Sequence, residues 1–258
     1  MLAAPGLILC MISELPAIPT AGMAAGLVDV ELVLAVDVSS SMDQEEFALQ
    51  RAGYVNALRH PDFIKVVLSG THRRIALTYF EWAETIREES IIPWQIIDGP
   101  DSAADFAARL AVRPLGGLRG TSISGAVTFG SSLFEGNDLE GEKRVIDISG
   151  DGPNNFGTPV DTARDEVVSS GIVINGLPIL IRPSLSNLDR YYAECVTGGP
   201  GSFVLPIHAA SEFATAIRHK LILEVGGLTN APKIVKVQST KPVDCLVGEH
   251  FRLPYPEP

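Results

Sequence analysis

The stretch VELVLAVDVSSSMD, residues 30–43, decides the fold that we expect for this chain. Its first seven residues are almost all apolar, a pattern typical of a parallel strand that is covered on both faces. The apolar run passes directly into a carboxylate, Asp37, and three hydroxyls, Ser39 to Ser41. Because ligands of open α/β sheets bind at the carboxyl ends of the strands, this stretch predicts a buried strand that ends in a cluster of oxygen donors.

Apolar runs and helical patterns alternate along the rest of the chain. We expect further strands over residues 73–82, 143–149, 171–180 and 201–207, and a weaker edge strand that contains Pro93 over residues 84–97. We expect helices over residues 43–59, 101–112, 121–134, 159–170, 188–196 and 211–223. Strands separated by helices predict an α/β fold with a doubly wound, mainly parallel sheet, one antiparallel edge strand and a Rossmann-like three-layer architecture.

The two ends of the chain differ from its middle. Residues 1–26 start with an apolar run and end in small residues, as a secretory signal peptide does, although no lysine or arginine precedes the apolar run. Glu14 and two prolines interrupt this segment, so it is too short for a membrane span. The alternative is an ordinary frayed N-terminus. We expect a signal peptide over 1–26, a folded domain over 27–226, a tail over 227–258, and export to the periplasm or the cell exterior.

The tail and the cysteines are connected in this interpretation. Residues 233–240 resemble a short strand, and the last eight residues are rich in proline. Loss of the leader removes Cys10 and leaves Cys195 and Cys245, and two cysteines in an exported chain predict a disulfide. This disulfide would tie the tail to the domain, whereas the alternative is two unrelated thiols.

Length and charge exclude several classes of partner. The formal net charge of the 258-residue chain is -11, and its acidic residues are dispersed. This balance argues against nucleic acid and anionic membranes as partners and suits a soluble protein that holds a cation. The length predicts one α/β domain with attachments or, alternatively, two very small domains, and it leaves the oligomeric state open.

Three loops should meet at the carboxyl edge of the sheet. They are DVSSS (37–41), GGLRGTSIS (116–124) and GDGPNN (150–155). Their oxygen donors are Asp37, Ser39, Ser41, Thr121 and Asp151. Carboxylates and hydroxyls suit a hard cation such as Mg²⁺ (or Mn²⁺), and the absence of histidine and cysteine from these loops disfavours zinc.

In this order, the three loops resemble those of the von Willebrand factor A (vWA) domain, whose metal-ion-dependent adhesion site lies at the same edge. The resemblance covers roughly residues 30–225, and RVIDISGDGPNN (144–155) is also similar to a group of exported bacterial proteins with this domain. It implies that the five donors bind one metal ion, the serines directly and the aspartates directly or through water. It further implies that an acidic residue of a partner protein fills one open position on the metal.

This sequence departs from the family pattern in the third loop. Gly150 stands where the family often has threonine or serine, and Pro153, Asn154 and Asn155 form an unusual segment. Both departures bear on the identity of the ligand more than on the metal. We therefore place Asn154 and Asn155, together with Glu81 and Trp82 at the end of the second strand, in a candidate ligand rim; the alternative for the last two is surface and packing.

Two further carboxylates are interpreted as structural. Asp43 and Glu46 fit a capping box at the start of the first helix, so we expect a cap at Asp43 and not a ligand. Asp147 lies in the middle of a strand, and a buried carboxylate needs partners, so we expect a structural role. The five histidines adjoin no motif and indicate surface or packing positions.

The sequence therefore predicts a metal-dependent protein-binding module that is not an enzyme and whose partner is an acidic protein ligand. One alternative is a vWA scaffold with a vestigial metal site. Another is a Mg²⁺-dependent phosphoryl-transfer enzyme, but the aspartyl-phosphate hydrolases need a second aspartate where this chain has Ser39. Neither a G-x-S-x-G elbow nor a Walker motif occurs in the sequence.

Overall fold

The computed structural model describes residues 26–113, 117–227 and 242–250. The expected signal peptide lies outside these ranges except for Gly26, as do Cys10, the strand expected over 233–240 and the proline-rich end of the chain.

The described residues form an alternating series of strands and helices. The strands are β1 (Gly26–Asp37), β2 (Ile75–Trp82), β3 (Ile86–Ile97), β4 (Leu139–Gly150) and β5 (Ile172–Pro178). The helices are α1 (Gln44–Leu58), α2 (Pro61–Val67), α3 (Pro100–Ala111), α4 (Ile123–Ser132), α5 (Val160–Ser169), α6 (Leu188–Tyr191), α7 (Phe213–Gly226) and α8 (Val247–His250). A π-helical turn, Tyr192–Val196, continues α6, and a 3₁₀ turn, Ala210–Glu212, precedes α7.

The strands form one sheet in the order β3-β2-β1-β4-β5. β1 pairs in parallel with β2 and β4, and β4 pairs in parallel with β5. β3 is antiparallel to β2 and lies at the edge, as its Pro93 requires. The predicted fold class, a doubly wound and mainly parallel sheet with one antiparallel edge strand, is confirmed.

Side chains of β1 alternate between two apolar cores because successive residues of a strand point to opposite faces. Leu32 and Leu34 join the core that contains side chains of α1, α2, α3 and α7. Val33 and Ala35 join the core that contains side chains of α4, α5 and α6. The central strand is therefore buried on both faces, which explains its continuous apolar pattern.

One expected strand is wrong. Residues 201–207 form only isolated bridges to the outer edge of β5, through Val204 and Ile207. Gly176 N donates to Phe203 O and Ile207 N donates to Pro178 O, but Pro178 has no N–H to continue the ladder. The segment lies beside β5 as a sixth, interrupted element.

The structure also contains a helix that the sequence pattern did not indicate, α2. It begins at Pro61, a favoured first helical residue, and His60 caps it by accepting a hydrogen bond from Asp62 N at 3.2 Å.

The described part of the tail is tied to the domain by the predicted disulfide between Cys195 and Cys245, whose Cα atoms lie 5.5 Å apart. Within the described ranges, no helix has the length and apolar character that a membrane span requires.

Candidate metal centre

The three loops meet because their strands are neighbours. β1 and β4 run in parallel with Val36 opposite Ser149, so Asp37 and the loop after Gly150 emerge side by side. Leu118 brings in the second loop, since its N–H donates to Val38 O at 2.9 Å and its carbonyl accepts from Ser40 N at 2.7 Å.

Four of the five predicted donors form one hydrogen-bonded chain. Ser39 N donates to Asp37 Oδ1 at 2.6 Å, and the hydroxyls of Ser39 and Ser41 lie 2.9 Å apart. Ser41 Oγ donates to Asp151 Oδ1 at 2.7 Å, which joins the first loop to the third across 110 residues of sequence. The structure thus brings the two predicted carboxylates and the two predicted serines together.

Thr121 lies beside this chain and not in it. Its N–H donates to Asn155 Oδ1 at 2.9 Å, and its carbonyl accepts from Asn155 N at 2.8 Å. A Cβ atom added to Gly152 would lie 4.0 Å from Thr121 Oγ1, so the hydroxyl adjoins the third loop. Asn155 therefore ties the second loop to the third.

The two carboxylates are buried without a cation. Asp37 is 0% exposed and Asp151 is 4% exposed. Within residues 26–113, 117–227 and 242–250, neither forms a salt bridge with a lysine, arginine or histidine. Asp37 Oδ2 also has no hydrogen-bond partner among the described residues. An enclosed oxygen of this kind is costly unless something outside the chain satisfies it.

The electrostatics reflect this arrangement. Burial raises the pKa of Asp37 to about 8, and the neighbouring carboxylate of Asp151 adds to the rise. Burial also raises the pKa of Asp151, although the hydrogen bond from Ser41 lowers it and nearby Glu46 raises it further. Two carboxylates that resist ionisation beside each other form a pair that a cation would stabilise in its charged form.

Gly150 has a steric reason to lack a side chain. A Cβ atom at this position would lie 2.8 Å from Asp37 Oδ2 and 2.6 Å from the Tyr192 hydroxyl. Both contacts are shorter than real Cβ contacts. The departure from the family pattern therefore makes room for the unpartnered Asp37 oxygen and for a tyrosine that sequence reasoning missed.

The donor set fits a hard divalent cation. It combines two carboxylates with neutral hydroxyls, it contains no nitrogen or sulfur ligand, and one carboxylate oxygen is unpartnered. Ser41 is exposed whereas Ser39 is 2% exposed, so the centre opens to solvent on the side of Ser41. The arrangement is chemically suited to hold a cation.

Three of the four residues that we expected at the ligand rim are buried. Glu81 is 1% exposed and forms a buried ion pair with Arg51, and Trp82, 0% exposed, packs in the core beneath α4. Asn154 is also 0% exposed. Asn155 is half-buried and faces Thr121. Of these four residues, only Asn155 both contacts a predicted donor, Thr121, and has an appreciable exposed surface.

Asp43 is a helix cap, as predicted. Its carboxylate accepts from Glu46 N at 2.9 Å, and Glu46 Oε2 accepts from Asp43 N at 3.0 Å. Arg182 donates to both carboxylates, at 2.6 Å to Asp43 and 2.7 Å to Glu46. The acidic groups that flank the metal centre are therefore charge-compensated, unlike Asp37 and Asp151.

A second group of candidate ligands lies at the opposite end of the sheet. Atoms of Asp29, His72 and Glu142 lie within 4.8 Å of one another. Asp29 already accepts hydrogen bonds from His72 N at 2.8 Å and Arg74 N at 3.3 Å. These backbone bonds explain the buried carboxylate as a support for the turn before β2.

Comparisons with known proteins place this geometry in context. The family described as "Protein of unknown function (DUF1194)" matches residues 27–229. No curated protein matches the sequence. Among solved structures, proximal thread matrix protein 1 from the mussel byssus is 14% identical with a TM-score of 0.58, covering 78% of this chain and 48% of its own. Another crystal structure of that protein, 15% identical with a TM-score of 0.54 over 78% of this chain and 49% of its own, is described as having a zinc-occupied MIDAS motif.

Two bacterial structures show the same fold. The pilus adhesin SpaC from Lactobacillus rhamnosus GG is 14% identical with a TM-score of 0.55, over 77% of this chain and 30% of its own. A von Willebrand factor type A protein from Catenulispora acidiphila is 17% identical with a TM-score of 0.54, over 77% of this chain and 43% of its own. This chain thus spans about half or less of each of these solved chains, and the likeness establishes the vWA-like fold.

Proposed function

Because the chain belongs to the DUF1194 family and has a vWA-like fold, we propose that it is a metal-dependent protein-binding module and not an enzyme. In this proposal a bound Mg²⁺ or Mn²⁺ ion offers one coordination position to an acidic group of a partner protein. The description of the family assigns no function, so the support comes from the geometry of the metal centre.

One observation carries the proposal. Asp37 and Asp151 are buried side by side, joined through two serine hydroxyls, and no cationic side chain of the described residues pairs with them. A buried charge needs a counter-charge or a proton. A divalent cation from solution supplies that counter-charge, and it also satisfies the unpartnered Asp37 Oδ2.

Each of the predicted donors has a role in this proposal. Asp37 and Asp151 supply the negative charge, and Ser39 and Ser41 supply hydroxyl oxygens that already point toward one another. Thr121, held by Asn155, adds a hydroxyl from the second loop. Because several donors are neutral, much of the positive charge remains available for a carboxylate from outside.

We also propose that the protein is exported. The disulfide supports this proposal because such bonds persist in oxidising compartments. The proposed organisation is a signal peptide over residues 1–26, the vWA-like domain over 27–226 and a tail over 227–258 that the disulfide secures.

The metal is tested by thermal unfolding with excess Mg²⁺, excess Mn²⁺ or chelator. We expect both ions to stabilise the unmodified protein and to leave Asp151→Ala unaffected. Asp105→Ala, which removes an exposed carboxylate from α3, is the matched control and should respond as the unmodified protein does. Crystals soaked in Mn²⁺ should show an anomalous peak between Ser39, Ser41 and Thr121, and the absence of a peak at high Mn²⁺ overturns the proposal.

Partner binding is tested separately by pull-down from the native cell envelope. We expect partners that are retained with Mg²⁺, lost with chelator and never retained by Asp151→Ala. A partner set that chelator and the variant leave unchanged contradicts metal-dependent binding.

A further inference from the structure

The described tail packs against the third loop of the metal centre. The disulfide fixes Cys245 to Cys195 in the π-helical turn, and Val243 N donates to Glu194 Oε2 at 2.9 Å. From this anchor the chain enters α8, whose Gly248 lies so close to Asn154 that an added Cβ would be 2.0 Å from its carbonyl oxygen. Only glycine allows this approach between tail and loop.

Polar contacts reinforce the packing. Glu249 Oε1 accepts a hydrogen bond from Asn154 Nδ2 at 2.8 Å. The Tyr191 hydroxyl accepts from Asn154 N at 3.1 Å and lies 3.5 Å from Cys245 O, to which it donates. Glu249 of the tail and Tyr191 therefore both hold Asn154, and Tyr191 also contacts the backbone of the disulfide-bonded Cys245.

Asn154 connects the tail to the loops of the metal centre. It follows Asp151 by three positions, and its Oδ1 accepts from Ser124 N at 3.0 Å, in the first turn of α4 after Thr121. Its Nδ2 also donates to Thr158 O at 3.2 Å. One fully buried side chain thus links the second loop, the third loop and the tail.

We infer that the tail clamp, defined as residues 242–250 with the Cys195–Cys245 disulfide, positions the Asp151 loop for metal binding through Glu249 and Asn154. The inference rests on the proposed function, because it concerns the affinity of that same centre. Glu249 and Asn154 are positioning residues: they hold the loop, and they do not belong to the predicted donor set. Groups that orient metal ligands typically change metal affinity by tenfold or more when they are removed.

The first test compares two variants of Glu249. Glu249→Ala removes the acceptor for Asn154 Nδ2, whereas Glu249→Gln retains a side-chain oxygen and removes only the charge. We expect Glu249→Ala to weaken Mn²⁺ binding about tenfold and Glu249→Gln to restore most of the affinity. The double variant Cys195→Ala/Cys245→Ala should weaken binding similarly. His250→Ala, which alters an exposed side chain of α8 that pairs with Asp244, is the control.

Mn²⁺ affinity is measured by electron paramagnetic resonance well below the unfolding temperature, so that a loss of stability does not register as a loss of affinity. A second measurement needs no metal: amide hydrogen exchange of Ser124 and Asn154 in chelator, which should be faster in Glu249→Ala and in the double cysteine variant.

The outcomes separate the two claims. Unchanged exchange at Ser124 and Asn154 overturns the tail clamp, whether or not metal binds. Faster exchange with unchanged Mn²⁺ affinity overturns its role in metal binding. Failure of the unmodified protein to bind Mn²⁺ overturns the proposed function itself and, with it, the claim that the tail sets a metal affinity.

Discussion

Among the described residues, two pairs of buried carboxylates differ in whether a lysine compensates their charge. In the lysine cluster, Lys220 Nζ lies 3.1 Å from Asp147 Oδ1 and 2.5 Å from Glu224 Oε1, and all three side chains are at most 1% exposed. In the metal centre, Asp37 and Asp151 are nearly as buried, yet no cation of the described residues pairs with them.

Under the proposed function, the difference separates a pair of carboxylates with a structural counter-ion from a pair that binds a metal ion. The lysine cluster contains its own counter-ion, Lys220, on a helix that packs against the sheet. The metal centre lacks one, at the edge where parallel sheets bind ligands. A protein that only needed to bury two carboxylates would supply a lysine, as this one does elsewhere.

The largest effect should follow removal of the lysine. Lys220→Met leaves Asp147 and Glu224 buried without a cation, and we expect a loss of about 3–5 kcal/mol in the free energy of unfolding. Urea denaturation in chelator measures it, with Lys65→Met on the exposed side of α2 as the control. A loss below about 1 kcal/mol would show that the two pairs do not differ in this way.

The opposite behaviour is expected in the metal centre. Asp37→Asn retains an oxygen for Ser39 N and removes a buried charge, so in chelator the variant should be as stable as the unmodified protein or more stable. With Mg²⁺ at 100 times its dissociation constant, the unmodified protein should gain about 2.7 kcal/mol and the variant nothing. Differential scanning calorimetry with and without Mg²⁺ gives both values, and equal gains would contradict the assignment.

A change of pH should alter the stability that the lysine cluster provides by less than Lys220→Met does. Burial raises the pKa of Glu224 to about 7, although Lys220 lowers it, so the folded state binds a proton more tightly than the unfolded state, whose glutamate titrates near 4.5. The stability from this group is complete below pH 4.5 and is lost as the pH rises through 7.

Glu224→Gln should therefore remove about 2–3 kcal/mol of pH dependence between pH 4.5 and pH 7. Urea denaturation of both proteins in chelator at several pH values measures the difference. Parallel curves of stability against pH for the two proteins would disprove the effect.

The smallest expected effect concerns the space around the unpartnered oxygen. Gly150→Ala pushes a methyl group against Asp37 Oδ2 and the Tyr192 hydroxyl, and we expect a loss of about 1 kcal/mol in chelator together with weaker Mg²⁺ stabilisation. Gly99→Ala is the control, since an added Cβ there meets nothing within 4 Å. An unaltered response to Mg²⁺ in Gly150→Ala would place the ion away from Asp37 Oδ2.

Much of this arrangement follows from local sequence. The apolar run before Asp37 predicts β1, the pairing of parallel strands predicts that the three loops meet, and Asp43 with Glu46 predicts the capping box. These features depend on residues a few positions apart or on a general rule of sheet geometry. Pro178 can also be read from the sequence, and its missing N–H explains why residues 201–207 do not form the continuous last strand that we expected.

Long-range partners could not be predicted in this way. The sequence shows that Asp147 needs a partner, but Lys220 enters only when α7 packs against the sheet. Asn154 looked like a rim residue because it lies in the third loop, yet Glu249, 95 positions away, turns it inward as a link between tail and loop. Such contacts depend on tertiary packing and not on periodicity.

Pro178 has a consequence for how this protein behaves at high concentration. A sheet edge with a free row of N–H and C=O groups templates the addition of another chain. At one edge, Pro178 interrupts the ladder between β5 and residues 201–207, and Pro206 lacks an N–H on the outer side of that segment. At the other edge, β3 contains Pro93 and pairs irregularly with β2. Within the described part of the chain, neither edge offers an incoming strand an unbroken row of donors, an arrangement that disfavours the edge-to-edge polymerisation to which open sheets are prone.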